Sequence, residues 1–303
     1  MGFNLYLAGA ENVDMDRLPE NDCMGKLFTF ALARKTLNKH ISATKNCKIF
    51  LDSGAFSKFH SGVDINIDDY INYINSTPEV TVFAELDDIP FPILNTKTAR
   101  ESADGSWKNY LYIMDRVKDE YRDKVIPIYH FGEPYDALER MLNTEVHGRL
   151  APYIGLGGRH GVNKQAHDKY FEHVFKIVKK SKNPKVKIHA FGMTILDLLE
   201  KYPFHSADST TWLMIGVNGN IITKTAGVIK VSNRSIKEPN SYWSASPHVK
   251  ELIDEEVKNY GFTIEELAEN YRARWYYNAS YFTTWAMNYK YKPNTGVRRK
   301  RLF

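Results

Sequence analysis

The sequence predicts an α/β protein, an irregular (β/α)8 barrel of parallel strands followed by a C-terminal helical extension. Three observations predict it. Short β-rich runs alternate with longer amphipathic stretches, the order that makes parallel strands joined by crossover helices. The runs recur roughly every 25 to 45 residues, near the spacing of one βα unit in an eight-unit barrel. Each run stops at a polar or conformationally permissive residue: Asp52, Asp87-Asp88, His130, Gly157-Gly158, Gly192 and Asp208. In a parallel barrel such ends gather on one face, where catalytic groups collect. The plain alternative is that Asp and Gly only punctuate strand ends as turn formers.

The strands are expected over residues 3–7, 48–51, 80–86, 125–129, 153–156 and 186–191, with a short one before Asp208. Residues 214–217 and 221–223 read as a hairpin around Asn218-Gly219, a favoured two-residue turn. Helices are expected over residues 67–74, 106–121, 135–142, 164–180 and 195–201. After about residue 235 the strand rhythm ends, and residues 247–260 and 263–289 read as helices. Thr263 with Glu266 three positions on opens the last one as a capping box. The chain therefore divides into a barrel, 1–235, and a helical extension with a basic tail, 236–303. Tyr271, Trp275, Tyr276, Tyr277, Phe282 and Trp285 load the last helix with rings, which favours packing on a core over stacking on bases.

Of the 303 residues 43% are hydrophobic, enough for one large core or two modest ones. The formal net charge of +5 is mildly basic and compatible with a polyanionic partner. The two cysteines, Cys23 and Cys47, form no spaced cluster; they read as reduced thiols, and no structural zinc site is expected. No stretch approaches about 18 consecutive apolar residues, and the first residues lack a basic run followed by an apolar one. The expectation is a soluble cytoplasmic protein (host cytoplasm if viral) with no membrane contact.

Two acids at strand ends, Asp52 and Asp208, are the minimal apparatus for chemistry at a sugar C1′. One attacks the anomeric carbon and the other manages the proton on the leaving group. A carboxyl that donates near neutral pH needs a raised pKa, through burial or a neighbouring acid, and Phe56 offers an apolar wall beside Asp52.

The motifs are also similar to those of one family. Leu51-Asp52-Ser53-Gly54-Ala55-Phe56-Ser57 resembles the Asp-Ser-Gly-Gly-aromatic-Gln signature of tRNA-guanine transglycosylases. Leu86-Asp87-Asp88-Ile89-Pro90 is similar to an Asp-Ile-Pro segment of the archaeal branch, and Tyr153-Ile154-Gly155-Leu156-Gly157-Gly158 to the Gly-Gly substrate loop. Ile188-His189-Ala190-Phe191-Gly192 resembles a His-Leu-Phe-Gly stretch, and Ala207-Asp208-Ser209 the Phe-Asp-Ser segment that carries the nucleophile. The resemblance runs over roughly residues 48 to 230, in the family's order.

It implies a (β/α)8 barrel that exchanges guanine for a 7-deazaguanine base in a polynucleotide. Carried over by position, Asp208 would form a covalent ester at C1′, and Asp52 would protonate departing guanine and deprotonate the incoming base, with retention. Asp88, with Asp87 as competitor, would accept from the guanine edge; Asp88 is chosen because Ile-Pro follows it. His130 stands where the family has a Gln donating to guanine O6, a satisfied structural His being the alternative. Ser53 belongs to the signature, Gly157, Gly158 and Gly192 would bring backbone against the base, and Phe56 and Phe191 would sandwich it.

The zinc-binding cysteines and separate RNA-binding domains of members acting on tRNA have no match. The chain is more similar to the DpdA-type, phage-type DNA-guanine transglycosylases, which implies DNA, with the target nucleotide flipped out, and a free 7-deazaguanine base as partners, and no cofactor. Lys58, Arg159, His160, Lys164, Arg272, Arg274 and the tail at Arg298–Arg301 are candidates for phosphate contact, each with an ordinary surface charge as its alternative. A zinc-free tRNA enzyme, a base-releasing glycosidase and a non-catalytic nucleic-acid-binding barrel are the competing readings.

Overall fold

The computed structural model describes residues 2–33, 36–55, 64–90, 97–158 and 161–292. It is an α/β fold whose nine-stranded parallel sheet nearly closes into a barrel flanked by helices. The strands are β1 (Asn4–Ala8), β2 (Met24–Thr29), β3 (Lys48–Asp52), β4 (Val82–Ala84), β5 (Val125–Ile126), β6 (Ile128–His130), β7 (Tyr153–Gly157), β8 (Lys187–Phe191) and β9 (Ser206–Ser209). Their order across the sheet is β5-β4-β3-β2-β1-β9-β8-β7-β6.

The two edges are one stretch of chain. Only Pro127 separates β5, paired to β4, from β6, paired to β7. Successive carbonyls serve opposite neighbours, Ile126 accepting from Glu85 N at 3.0 Å and Pro127 from Gly155 N at 2.8 Å. Proline interrupts the ladder because it has no N–H to give. The next amide, Ile128, donates to a side chain, Glu85 Oε1, at 2.6 Å. The sequence predicts one strand here, and the proline splits it.

The helices are α1 (Phe30–Ala33), α2 (Leu37–Ala43), α3 (Ile67–Ile74), α4 (Ala99–Arg116), α5 (Asp119–Arg122), α6 (Tyr135–Asn143), α7 (Lys164–Lys180), α8 (Leu196–Lys201), α9 (Thr211–Val217), α10 (Pro247–Asn259), α11 (Ile264–Glu269) and α12 (Tyr271–Met287). Caps explain several boundaries. Asn66 accepts from the Asp68 and Asp69 amides to start α3, and Asn163 from Ala166 N to start α7. The helix expected at residue 106 begins at 99, because Thr98 and Glu101 form a reciprocal box. Gly105 sits inside it since a Cβ there would lie 2.8 Å from Asp88 Oδ2. The last expected helix is two: Asn270 is extended and caps the Arg272 amide at 2.9 Å, restarting the chain as α12.

One expectation fails in kind. Residues 214–217 end a helix, with Trp212 Nε1 donating to Ala8 O at 3.0 Å. Asn218-Gly219, with Gly219 at φ 81°, is a helix stop and not a hairpin turn. The hairpin lies later, β10 (Asn220–Thr223) against β11 (Gly227–Lys230), in antiparallel register Asn220↔Lys230.

By density of contacts the chain forms two compact units. The first is Met1–Phe28, Asn38–Ile49 and Ser209–Asn288; the second is Thr29–Leu37, Phe50–Asp208 and Tyr289–Phe303. Within the first, Ile221, Val231, Ile253, Leu267 and Tyr277 form a buried cluster, and α9 packs along α12. Within the second, Phe50, Phe83, Ile126, Tyr129, Leu156 and Ile188 are buried. Among the described residues no helix is long and apolar enough to cross a membrane.

Candidate active site

Asp52 closes β3 and Asp208 lies in β9, both in the second unit. The Asp52 carboxyl is pushed up to about 8, first by desolvation and then by the charges of Asp87 and Asp208. The amides of Gly54 and Ser53 pull the other way, Gly54 N donating to Oδ2 at 3.2 Å. At neutral pH this acid therefore holds a proton. The dependence of Asp52 on Asp208 puts the two acids within electrostatic reach of each other.

Asp208 is 9% exposed at its side chain and aimed by two donors on one oxygen. Gly192 N reaches Oδ1 at 3.0 Å and His189 Nε2 reaches it at 3.1 Å. Gly192 stands at φ 62°, the left-handed region that turns its amide back from the end of β8. Burial pushes the His189 ring down, against the pull of Asp208, so the imidazole is neutral. A neutral ring facing a carboxylate carries its hydrogen on Nε2. Nδ1, 2.5 Å from Ser206 Oγ, then accepts from that hydroxyl, and the Tyr153 hydroxyl donates to Ser206 in turn. Ser206, His189 and Asp208 stand in the order of a hydrolase triad, yet Ser206 is fully buried and its proton is committed to His189. The line orients Asp208. Phe50 and Phe191 fix the ring, with centroids 4.6 and 4.4 Å from His189.

The second acid at the end of β4 differs from expectation. Asp87, not Asp88, turns toward Asp52: its charge lifts Asp52, and it accepts from Ser53 Oγ at 3.4 Å. Asp88 points the other way, pairing with Lys97 while its amide donates to Ser106 Oγ at 2.8 Å. Adjacent residues of an extended chain face opposite sides, and Asp88 takes the outer one.

His130 is brought to Asp87, Nε2 standing 2.9 Å from Oδ2. Burial opposes charge on this ring, but Asp87, then Glu133 and Asp88, outweigh it and the pKa rises. Gly157 exists for that ring, since a Cβ there would lie 2.2 Å from His130 Nδ1. Gly158 follows it, exposed. Behind the pair, Glu133 Oε2 accepts from His130 N at 2.9 Å, and burial pushes Glu133 up to about 7. Glu85, two residues before Asp87 and fully buried, is raised well above the usual range, first by desolvation, with Asp87 and Glu133 adding to it.

Sequence reasoning passed over Glu85, Glu133, Ser206 and Tyr153, and the hold of His189 on Asp208. Only Glu85 leaves a sequence signal, an acid two places before Asp87 in an otherwise apolar strand. Phe56, Lys58, Arg159 and His160, with the tail from residue 293, lie outside the described residues. Lys164 is exposed and pairs with Asp197; Arg272 is exposed, its guanidinium 5.8 Å from the Tyr271 ring centroid. Arg274, a candidate for phosphate contact, is not the ordinary surface charge of its alternative reading. It is 6% exposed, donating to Gly216 O at 2.7 Å and Leu267 O at 2.6 Å.

Among the described residues no group of three or more His, Cys, Asp or Glu is arranged to hold a metal ion. The chain matches no protein-family profile and no curated protein.

Proposed function

We propose that the protein is a guanine transglycosylase that exchanges guanine in DNA for a 7-deazaguanine base through a covalent bond to Asp208. One feature carries the reading: Asp208 is aimed by two donors on one oxygen and lies in electrostatic reach of Asp52, whose carboxyl burial and neighbouring charge push up to about 8. That is the division of labour a retaining double displacement requires. Oδ1 of Asp208 is occupied by Gly192 and His189, and among the described residues Oδ2 accepts no hydrogen bond. Oδ2 is the attacking atom.

In the first step the bond from C1′ to guanine breaks, an Asp208 ester forms at C1′, and the Asp52 proton goes to the departing base. In the second, the incoming base gives a proton to Asp52 and its nitrogen displaces the ester, returning both acids to their starting states. Asp87, beside Asp52, keeps that proton in place and presents an acceptor to a base edge. Its pairing with His130 sets the direction of that carboxylate. The reaction needs the nucleotide out of the helix, at a cost of a few kcal/mol, since C1′ is otherwise stacked away. DNA is the preferred acceptor because two cysteines do not supply the zinc element of members acting on tRNA.

The test is incubation with labelled guanine and, separately, DNA or tRNA, with trapping of a protein–DNA adduct. Label enters DNA, and Asp208→Ala forms no adduct. Label in tRNA alone defeats the DNA assignment, base release without incorporation makes the enzyme a glycosidase, and wild-type exchange by Asp208→Ala removes Asp208 as nucleophile.

A further inference from the structure

The first unit contains an open cleft of about 770 Å³ between the end of α9, the turn after β11 and the start of α12. We infer that this cleft holds the phosphate backbone of a single nucleic-acid strand, Arg274 and Arg234 gripping a phosphate and Tyr271 stacking on a neighbouring base. The inference rests on the proposed polynucleotide substrate.

Arg274 is the fixed element. Its Nε and Nη1 donate to the carbonyls of Gly216, Leu267 and Ala268, which lock the guanidinium plane in the cleft wall. Among the described residues its Nη2 has no hydrogen-bond partner and no carboxylate lies within ion-pair distance of it. A buried cation bound only to carbonyls keeps its full charge, and the remaining donor of a residue that lines the cleft is ready for an oxygen anion. Arg234 lines the same cleft, is exposed, and also lacks an acid partner among the described residues. Burial, and after it the charge of Arg234, depresses Arg274. Like charges are held together without a counter-ion only at a cost, which an anion between them removes.

Two acids share the lining. Glu238 is paired with Lys230, and Glu269 is exposed at the rim, so neither neutralises the arginine pair. Tyr271, 43% exposed at the start of α12, offers a ring face beside the cations. Cations tracking a backbone with a ring for the bases is how single strands are held without sequence choice.

The experiment is fluorescence anisotropy of a labelled single-stranded oligodeoxynucleotide with the full chain, across a salt series. Arg234 and Tyr271 are exposed, so Arg234→Glu and Tyr271→Ala keep the fold, as the thermal midpoint checks. Arg234→Glu is expected to weaken binding at least about tenfold and to flatten the slope of log K against log salt by about 1. Tyr271→Ala loses about five- to a hundredfold with the slope unchanged. Adduct trapping runs in parallel. If both variants bind as tightly as wild type, the cleft assignment falls, whatever trapping shows. If they lose binding while wild type never forms an adduct, the cleft stands and the transglycosylase reading falls. Equal loss for heparin and oligonucleotide, with no effect of Tyr271→Ala, reduces the cleft to a general polyanion site and overturns the strand assignment.

Discussion

Asp52→Asn is expected to make the protein more stable and inactive at once. An ordinary aspartate titrates near 3.8, and Asp52 in the folded protein titrates near 8. Between those values the folded state holds a proton that the unfolded chain has released. The stability this group contributes is therefore complete below about pH 4 and is lost as pH rises through about 8. At about 1.36 kcal/mol per pH unit, the loss relative to a permanently neutral side chain is at most about 3 kcal/mol at pH 6 and about 6 kcal/mol above pH 8. The amide of D52N never ionises, and its carbonyl oxygen keeps the bond from Gly54 N. Urea unfolding of both proteins at about pH 5, 7 and 9 should give a gap in favour of D52N that widens up to about pH 8 and then levels. A gap independent of pH, or a wild type more stable than D52N at the alkaline end, would refute the buried neutral acid, and with it the proton donor. Exchange by D52N falls to background in the same preparations, because an amide has no proton to lend.

Three further outcomes follow from the same geometry. Asp87→Asn removes one of the two charges that lift Asp52, so the alkaline limb of kcat/KM moves to lower pH; an unmoved limb separates Asp87 from the acid. Asp208→Asn keeps the shape but not the nucleophile, and mass spectrometry should find no adduct mass after incubation with DNA. Gly157→Ala drives a methyl into the His130 ring and costs about 1–3 kcal/mol, most of which His130→Ala on the same chain restores; simple additivity of the two changes would show that the ring is not what the methyl meets.

How far the sequence could be read depended on which signals a parallel barrel leaves on its surface. Helices 67–74 and 164–180 came out with the expected ends because apolar spacing and an Asn cap coincide there. Strand ends were legible at Asp52, Gly157 and Phe191, where buried runs stop at turn-forming residues. Strand β2 was missed because Gly25 and Lys26 break its apolar run. Gly25 is dictated by the Tyr6 ring, 2.3 Å from where a Cβ would stand, and Lys26 is buried by pairing with Glu20 at 3.0 Å. Which of Asp87 and Asp88 turns toward Asp52 was not legible for a related reason. Val82, Phe83 and Ala84 are all buried, so β4 shows no alternation from which to count the inward face. The two acids proposed for catalysis were legible as residue types; the partners that set their protonation come from strands distant in sequence.

The seam at Pro127 makes the protein answer to alkali in a particular place. Elsewhere along the seam, as from Glu85 N to Ile126 O and from Gly155 N to Pro127 O, the rungs join amide to carbonyl, groups that do not titrate in any ordinary buffer. The rung from Ile128 ends instead on Glu85, an acid kept neutral by burial. Raising the pH forces charge onto the acceptor of that rung, beside the break at Pro127. Base is therefore expected to weaken this rung in particular, and exchange of the Ile128 amide is where the weakening is read.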